Sequence, residues 1–240
     1  MSGILRMDFH RLFRSLILYI LPLILLLVLI VSALGDNEPS QTGLDAVLDM
    51  VTGMISNVIF LAADIILVYI WNGERRHGYI KNIAGNVSGR HVLPLSKTVG
   101  IFAVCLIYTF VSIAFSVTGT LVTGGTIVSA PIDSQIRDLI LWFIAGLASG
   151  AIMLFLYELT HSQTLCFIAA IMMWTVMIDN LVVQLAYLLL KIDWVGRYLL
   201  FSGLNWEEAG YAEKLIKALV YFVVFTVAAV FVARKKDVNT

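Results

Sequence analysis

Six long, continuous apolar runs limit what this chain can fold into more than any other feature. They lie at 16–34, 53–72, 98–118, 138–157, 164–188 and 217–233. A helix needs roughly 17–25 residues to cross the hydrocarbon core of a bilayer, and every run falls within that range. The runs do not alternate, and a lone strand could not satisfy its backbone hydrogen bonds in lipid, so the pattern predicts helices. We therefore expect an all-α integral membrane protein with six transmembrane helices, forming a single domain over 1–240.

Composition agrees with a membrane location and argues against a nucleic-acid partner. Hydrophobic residues make up 60% of the chain and charged residues only 13%, whereas soluble domains are roughly 45–50% apolar and about 25% charged. Sixteen Lys and Arg balance sixteen Asp and Glu, so there is no net positive charge to attract nucleic acid. Cys105 and Cys166 both lie inside apolar runs. We expect them to act as small hydrophobes, with neither a disulfide nor a metal site.

The basic residues predict which connecting segments lie in the cytoplasm. Arg and Lys are concentrated before the first run, in the 73–97 loop and after the last run, while the 35–52 segment carries four acidic residues and no basic one. The positive-inside rule places the three basic regions in the cytoplasm and 35–52 outside. An even number of spans is also required to put both termini on the inner side, and six spans meet that requirement.

Two further segments have the pattern of helices at the membrane surface. The stretch 5–16 has apolar residues on one helical face and basic residues on another, which predicts an interfacial helix over 1–15. A simple extension of the first span is the alternative. The 189–216 segment is rich in Trp and Tyr, and Asn205 with Glu208 resembles a capping box. We predict a helical hairpin at the outer interface there.

The 73–97 loop is the richest segment in motifs. It combines a charged stretch from Glu74 to Ile83 with a glycine break and a basic return to the membrane. Here the sequence resembles the permease subunits of ABC-2 type exporters. In that family, a glutamate ending the second span begins a short coupling helix, and a glycine, a lysine, an arginine and a further lysine follow. The residues in those places are Glu74, Gly78, Lys81, Arg90 and Lys97. An ordinary positive-inside loop is the alternative.

The resemblance covers nearly the whole chain and implies a function and a set of partners. It implies a bacterial cell-membrane permease that has no enzymatic activity or cofactor of its own and works with a separate ABC ATPase subunit carrying ATP and Mg. A second permease, identical or paralogous, would complete the path. The predicted contacts with the ATPase involve Glu74, Arg75, Arg76, Gly78, Tyr79, Ile80, Lys81 and Arg90. Gly119–Thr126 has only the outline of a phosphate-binding loop, because Gly125 stands where the lysine is needed.

The substrate is less constrained than the class of transporter. The small size of the chain resembles permeases that export or expel antimicrobial peptides, and the acidic 35–52 segment would attract cationic peptides. Lipids, drugs and polysaccharides stay open as alternatives. Two other classes also stay open: an intramembrane protease, although its usual constellations are not visible, and a membrane sensor.

Polar residues inside the predicted spans are candidates for a translocation path. Carboxylates at the bilayer centre are costly, so Asp64 and Asp179 stand out, and Asn57, Asn180 and Gln184 share their helices. Such residues either line a path or hydrogen-bond to neighbouring helices, and both interpretations are open. Gly146 and Gly150 form a small-residue motif that predicts a close helix contact.

Overall fold

The computed structural model describes residues 2–24, 56–76, 92–123, 132–191, 194–200 and 209–238. This part of the chain contains helices and the turns between them and no strand, so the predicted all-α class is confirmed. Residues 17–24 are helical up to the limit of the described segment. The other helices are α1 Ser2–Arg14, α2 Ser56–Arg76, α3 Val92–Thr123, α4 Ile132–Thr160, α5 Gln163–Trp174, α6 Met177–Leu190, α7 Val195–Tyr198 and α8 Tyr211–Val238.

Several of these helices are long and apolar enough to cross a membrane. Within the described residues there are three, Leu93–Val111 in α3, Ile136–Thr160 in α4 and Tyr211–Lys235 in α8. A fourth results if α5 and α6 together form one bent span. Helix α2 covers most of the second predicted run, whereas most of the first run lies outside the described residues. Six spans therefore stay a prediction.

The helices pack around α4, which contacts α2, α3, α5 and α8. Glycines on α4 make two of these contacts close. A Cβ added at Gly146 would lie 2.6 Å from Cδ1 of Phe60 on α2, and one at Gly150 would lie 2.6 Å from Cγ2 of Ile101 on α3. The close contact predicted from the small-residue motif is confirmed, and it brings three helices into one core.

The fifth predicted span is not one straight helix. Helices α5 and α6 meet at 71°, and between them Val176 has a left-handed backbone with φ 57°. The backbone N–H of Thr175 still bonds to the carbonyl of Ile171 at 3.0 Å, and that of Val176 bonds to the carbonyl of Met173 at 2.9 Å. A left-handed residue just beyond such bonds is a common way to end a helix. The apolar run 164–188 is therefore continuous in sequence but broken in structure.

The N-terminal helix is separate from the segment that follows it. Helix α1 ends at Arg14, residues 15 and 16 are not helical, and a helix resumes at 17. Helix α1 packs against α3. This break agrees with a distinct helix over 1–15 rather than an extension of the first span. Its position at the membrane interface stays a prediction.

A short helix lies within the predicted outer hairpin. Helix α7 is held against α8, since the Arg197 guanidinium donates two 2.8 Å hydrogen bonds to the Glu213 carboxylate. The hydroxyl of Tyr221 also donates to the Tyr198 carbonyl at 3.0 Å. Helix α8 begins at Tyr211, earlier than the predicted start at 217. The proposed cap of Asn205 and Glu208 lies outside the described residues.

Candidate functional site: a charge cluster where four helices meet

A cluster of charged residues lies where four helices come together at one end. Helix α2 ends there with Glu74, α3 begins there with Lys97, α4 ends there with Glu158, and α1 brings Asp8. Asp8, Glu74 and Lys97 line one small pocket, whose walls also include Trp71. Since α2 ends where α3 begins, both ends of the segment between them lie in this region.

An ion pair is at the centre of the cluster. Lys97 Nζ lies 2.8 Å from Glu158 Oε1, and the two side chains are only 6% and 13% exposed. The same ammonium lies 5.1 Å from the Tyr157 ring centroid and 5.8 Å from that of Trp71. The hydroxyl of Tyr157 donates to the Trp71 carbonyl at 3.0 Å, which links α4 to α2. A carboxylate and two aromatic rings thus stabilise one buried cation.

Glu74 is a buried carboxyl of the cluster. The residue is 9% exposed, and burial raises its pKa to about 7, with Lys97 partly opposing that rise. Burial is also the largest influence on Asp8, whose pKa it raises, while Ser96 and the nearby cations act the other way. A carboxyl with a pKa near 7 exchanges its proton around neutral pH, so the charge of this cluster depends on pH.

The predicted ATPase-coupling residues are only partly within the described structure. Glu74 is buried and Arg75 is exposed at the end of α2. The backbone of Arg76 is helical, and its side chain lies outside the description. The remaining predicted residues also lie outside the described residues, namely Gly78, Tyr79, Ile80, Lys81 and Arg90.

Asp64, one of the predicted path residues, is bonded to another helix. It is 1% exposed, and its Oδ2 accepts a 2.7 Å hydrogen bond from Trp174 Nε1 at the end of α5. The Trp174 ring stacks on Phe60 with centroids 5.8 Å apart. This geometry agrees with the interpretation in which Asp64 joins adjacent helices. A role in a translocation path stays a prediction.

The other predicted path residues lie on α6, after the break, and on α2. Asp179 is buried in the first turn of α6, whereas Asn180 and Gln184 on the same helix are exposed. Asn57 has a helical backbone in α2, and its side chain lies outside the description.

Sequence reasoning missed Glu158 and Asp8 as members of the cluster. A usable signal was present for Glu158. Successive spans cross the membrane in opposite directions, so the start of the third span and the end of the fourth lie on the same side. Lys97 opens the third predicted span, and Glu158 follows the fourth. Two opposite charges at ends on the same side are candidates for pairing. Asp8 gave no comparable signal, because it is the one acidic residue on a basic helix.

No protein-family model and no curated protein matches this chain. What the protein does must therefore be inferred from its residues and their geometry.

Proposed function

We propose that this chain is the permease subunit of an ABC-2 type exporter, driven by a separate ABC ATPase. One observation carries the proposal. Glu74 and Lys97, the charged residues near the two ends of the predicted 73–97 coupling loop, line the same small pocket. A detached ATPase can move the spans only through an element whose two ends are held by the helices. The segment between α2 and α3 has both ends held in this way.

The charge cluster would transmit such a movement beyond α2 and α3. Lys97 is paired with Glu158, so a displacement at the start of α3 also acts on the end of α4. Helix α4 packs in turn against α2, α5 and α8. The same pocket includes Asp8, Phe9 and Leu12 of α1. The basic N-terminal helix and the basic loop would then lie on the cytoplasmic side together.

Within this proposal, the residues of Glu74–Ile83 have different roles. Because Glu74 is buried, its role is to hold the start of the coupling helix rather than to contact the ATPase. Tyr79 and Ile80 would supply apolar anchors in a groove of the ATPase, and Gly78 would allow close approach. The basic residues Arg75, Arg76, Lys81 and Arg90 would pair with acidic groups on the ATPase or with anionic headgroups.

The assembly would contain two permeases, as a homodimer or a heterodimer, with two ATPases that hold ATP and Mg. Its location would be the bacterial cell membrane, with both termini in the cytoplasm. An amphiphilic peptide, such as an antimicrobial peptide, is the proposed substrate. A lipid, a drug or a polysaccharide is the alternative for the same class of transporter.

Alanine variants of the coupling segment test the proposal. The tagged chain is purified from its native membranes, and co-purified ABC ATPase and its substrate-stimulated hydrolysis are measured. We expect Tyr79→Ala to retain at least fivefold less ATPase and Glu74→Ala to uncouple hydrolysis from transport. Tyr187→Ala, on the exposed side of α6, is the control and retains the ATPase. Wild-type transport by both coupling variants with the ATPase still bound, or transport by the chain without any ATPase, would refute the proposal.

The substrate needs its own measurement. Cells with and without the gene are exposed to a panel of cationic peptides, and survival is compared. The peptide proposal predicts that loss of the gene changes survival for at least one peptide. Unchanged survival for the whole panel would direct the search to lipids, drugs or polysaccharides.

A further inference from the structure

A second pocket lies beside the charge cluster and shares Glu74 as a lining residue. Its volume is about 490 Å³, within the roughly 300–1,000 Å³ that is typical of sites for small ligands. Three separate parts of the chain form its walls: α1, the end of α2 and the start of α5. Its polar lining residues are Arg11, Ser15, Tyr69, Asn72, Glu74 and Gln163.

This cleft has charges of opposite sign on its walls. Arg11 on α1 supplies a guanidinium, and Glu74 on α2 supplies a buried carboxylate. The amide of Asn72 donates a hydrogen bond to Oε1 of Gln163, which fixes the start of α5 to α2 and closes one wall. A ligand that matches this lining has an anionic group and a cationic group a short distance apart.

The surroundings of the cleft indicate where such a ligand comes from. Directly after Ser15 along the chain, Leu16 is 70% exposed, and Tyr19, Ile20 and Leu23 are exposed as well. These residues belong to the first predicted span, so their exposed apolar side chains would face acyl chains in a bilayer. A molecule whose polar end occupies the cleft can therefore lay its hydrocarbon along this surface.

We propose that the cleft binds the headgroup of an aminophospholipid, with its phosphate at Arg11 and its ammonium at Glu74. Arginine binds phosphate oxygens well because its donors form a planar fork. A headgroup with only negative charge would bring that charge close to Glu74 and is therefore disfavoured. The proposal goes beyond export, since it requires only that the chain lies in a membrane. Bound lipid would hold α1 against α2 at the charge cluster.

The charge state of Glu74 makes binding depend on pH. The groups that act on it are Lys97 from α3, Asp8 and Arg11 from α1, and Glu158 from α4, and burial raises the pKa of Glu74 to about 7. An ammonium binds the carboxylate and not the protonated acid. Binding therefore strengthens as pH rises from 6 to 8, by up to about tenfold if Glu74 alone titrates.

The test is a titration of the delipidated full chain in detergent. Binding of phosphatidylethanolamine, phosphatidylglycerol and water-soluble glycerophosphoethanolamine is measured by native mass spectrometry at pH 6 and pH 8. We expect phosphatidylethanolamine to bind most tightly and more tightly at pH 8. Arg11→Gln is expected to weaken its binding at least fivefold, and Glu74→Gln to remove the pH dependence. Arg14→Gln is the control, because Arg14 is exposed on the same helix and does not line the cleft.

Four outcomes would overturn the proposal. They are equal binding of phosphatidylglycerol, equally tight binding of glycerophosphoethanolamine, an equal loss in Arg14→Gln, and wild-type binding that does not change with pH. Equally tight binding of the soluble compound would identify the ligand as a soluble phosphate ester rather than a lipid. If a variant does not fold, the wild-type chain still tests the proposal through its binding of the three compounds at pH 6 and pH 8.

Discussion

Lys97 and Glu158 lie 61 residues apart in the chain, yet their side chains form a 2.8 Å ion pair that is almost closed off from solvent. The pair joins the first turns of α3 to the last turn of α4 and closes one end of the helix packing. A buried pair of this kind depends on both partners, because each charge is poorly solvated without the other.

Replacing Lys97 alone should destabilise the fold strongly. Lys97→Met leaves the Glu158 carboxylate buried without its cation, which typically costs about 3–5 kcal/mol. The double variant Lys97→Met with Glu158→Leu should recover most of that loss. The measurement is the free energy of unfolding in mixed detergent micelles. Arg197→Met, which breaks the exposed pair with Glu213, is the control and should lose far less; an equal loss in both would contradict the account.

Removing the indole N–H of Trp174 should destabilise the fold, because the buried Asp64 carboxyl loses a hydrogen bond. Trp174→Phe keeps most of the ring contact but removes the 2.7 Å hydrogen bond to Asp64. Ser149 also hydrogen-bonds to Asp64, and the loss of one donor to a buried acceptor costs about 1–3 kcal/mol. Trp142→Phe is the control, since Trp142 stacks on Trp174 with centroids 6.5 Å apart. We expect Trp174→Phe to lower the free energy of unfolding by about that amount. Equal losses in both variants would show that the hydrogen bond is not the cause.

Alanine at the two α4 glycines should separate packing from helix propensity. Gly146→Ala and Gly150→Ala each place a Cβ 2.6 Å from a neighbouring side chain, and overpacking usually costs about 1–3 kcal/mol. Gly100→Ala in α3 meets nothing within 4 Å. That control should be neutral or stabilising by about 0.5–1 kcal/mol, because alanine favours helix over glycine. Destabilisation of all three variants to the same degree would count against close packing.

The orientation of the chain can be tested with a single cysteine at position 45. The 35–52 segment is predicted to lie outside, because it is acidic and has no Lys or Arg. In a background where Cys105 and Cys166 are replaced, Asp45→Cys should react with a membrane-impermeant maleimide added to intact cells. A cysteine at Arg75, exposed at the end of α2, should react only after the cells are opened. The reverse pattern would show that the topology is wrong.

Length and hydrophobicity were sufficient to predict the helices of the centre of the chain. Helix α3 covers the run 98–118, and α4 covers 138–157. Both helices extend beyond their apolar runs, since a helix can continue into residues outside the hydrocarbon core. The contact at Gly146 was also predictable, because a missing side chain permits close approach whatever the neighbour is.

The break at Val176 and the pairing of Lys97 with Glu158 were harder to predict. The break depends on one backbone conformation that a β-branched residue rarely adopts, and hydrophobicity carries no information about it. The ion pair depends on which helices are neighbours, and the apolar pattern says nothing of that.

The stability of the fold should fall as the pH rises through the titration range of Glu74. Burial raises the pKa of this acid from 4.5 to about 7 in the folded chain. Between these values the folded state binds the proton and the unfolded state does not, so each rise in pH favours unfolding. At about 1.4 kcal/mol per pKa unit, the free energy of unfolding should decrease by about 3 kcal/mol between pH 4.5 and 7 and then level off. Glu74→Gln removes this part of the decrease in the free energy of unfolding, while Asp8, whose pKa is also raised by burial, still contributes a decrease of its own. Unfolding in mixed micelles at pH 5 and pH 8 measures both, with the exposed neighbour variant Arg75→Gln as the control that keeps the wild-type slope. A Glu74→Gln chain with the full wild-type decrease would show that another group is responsible.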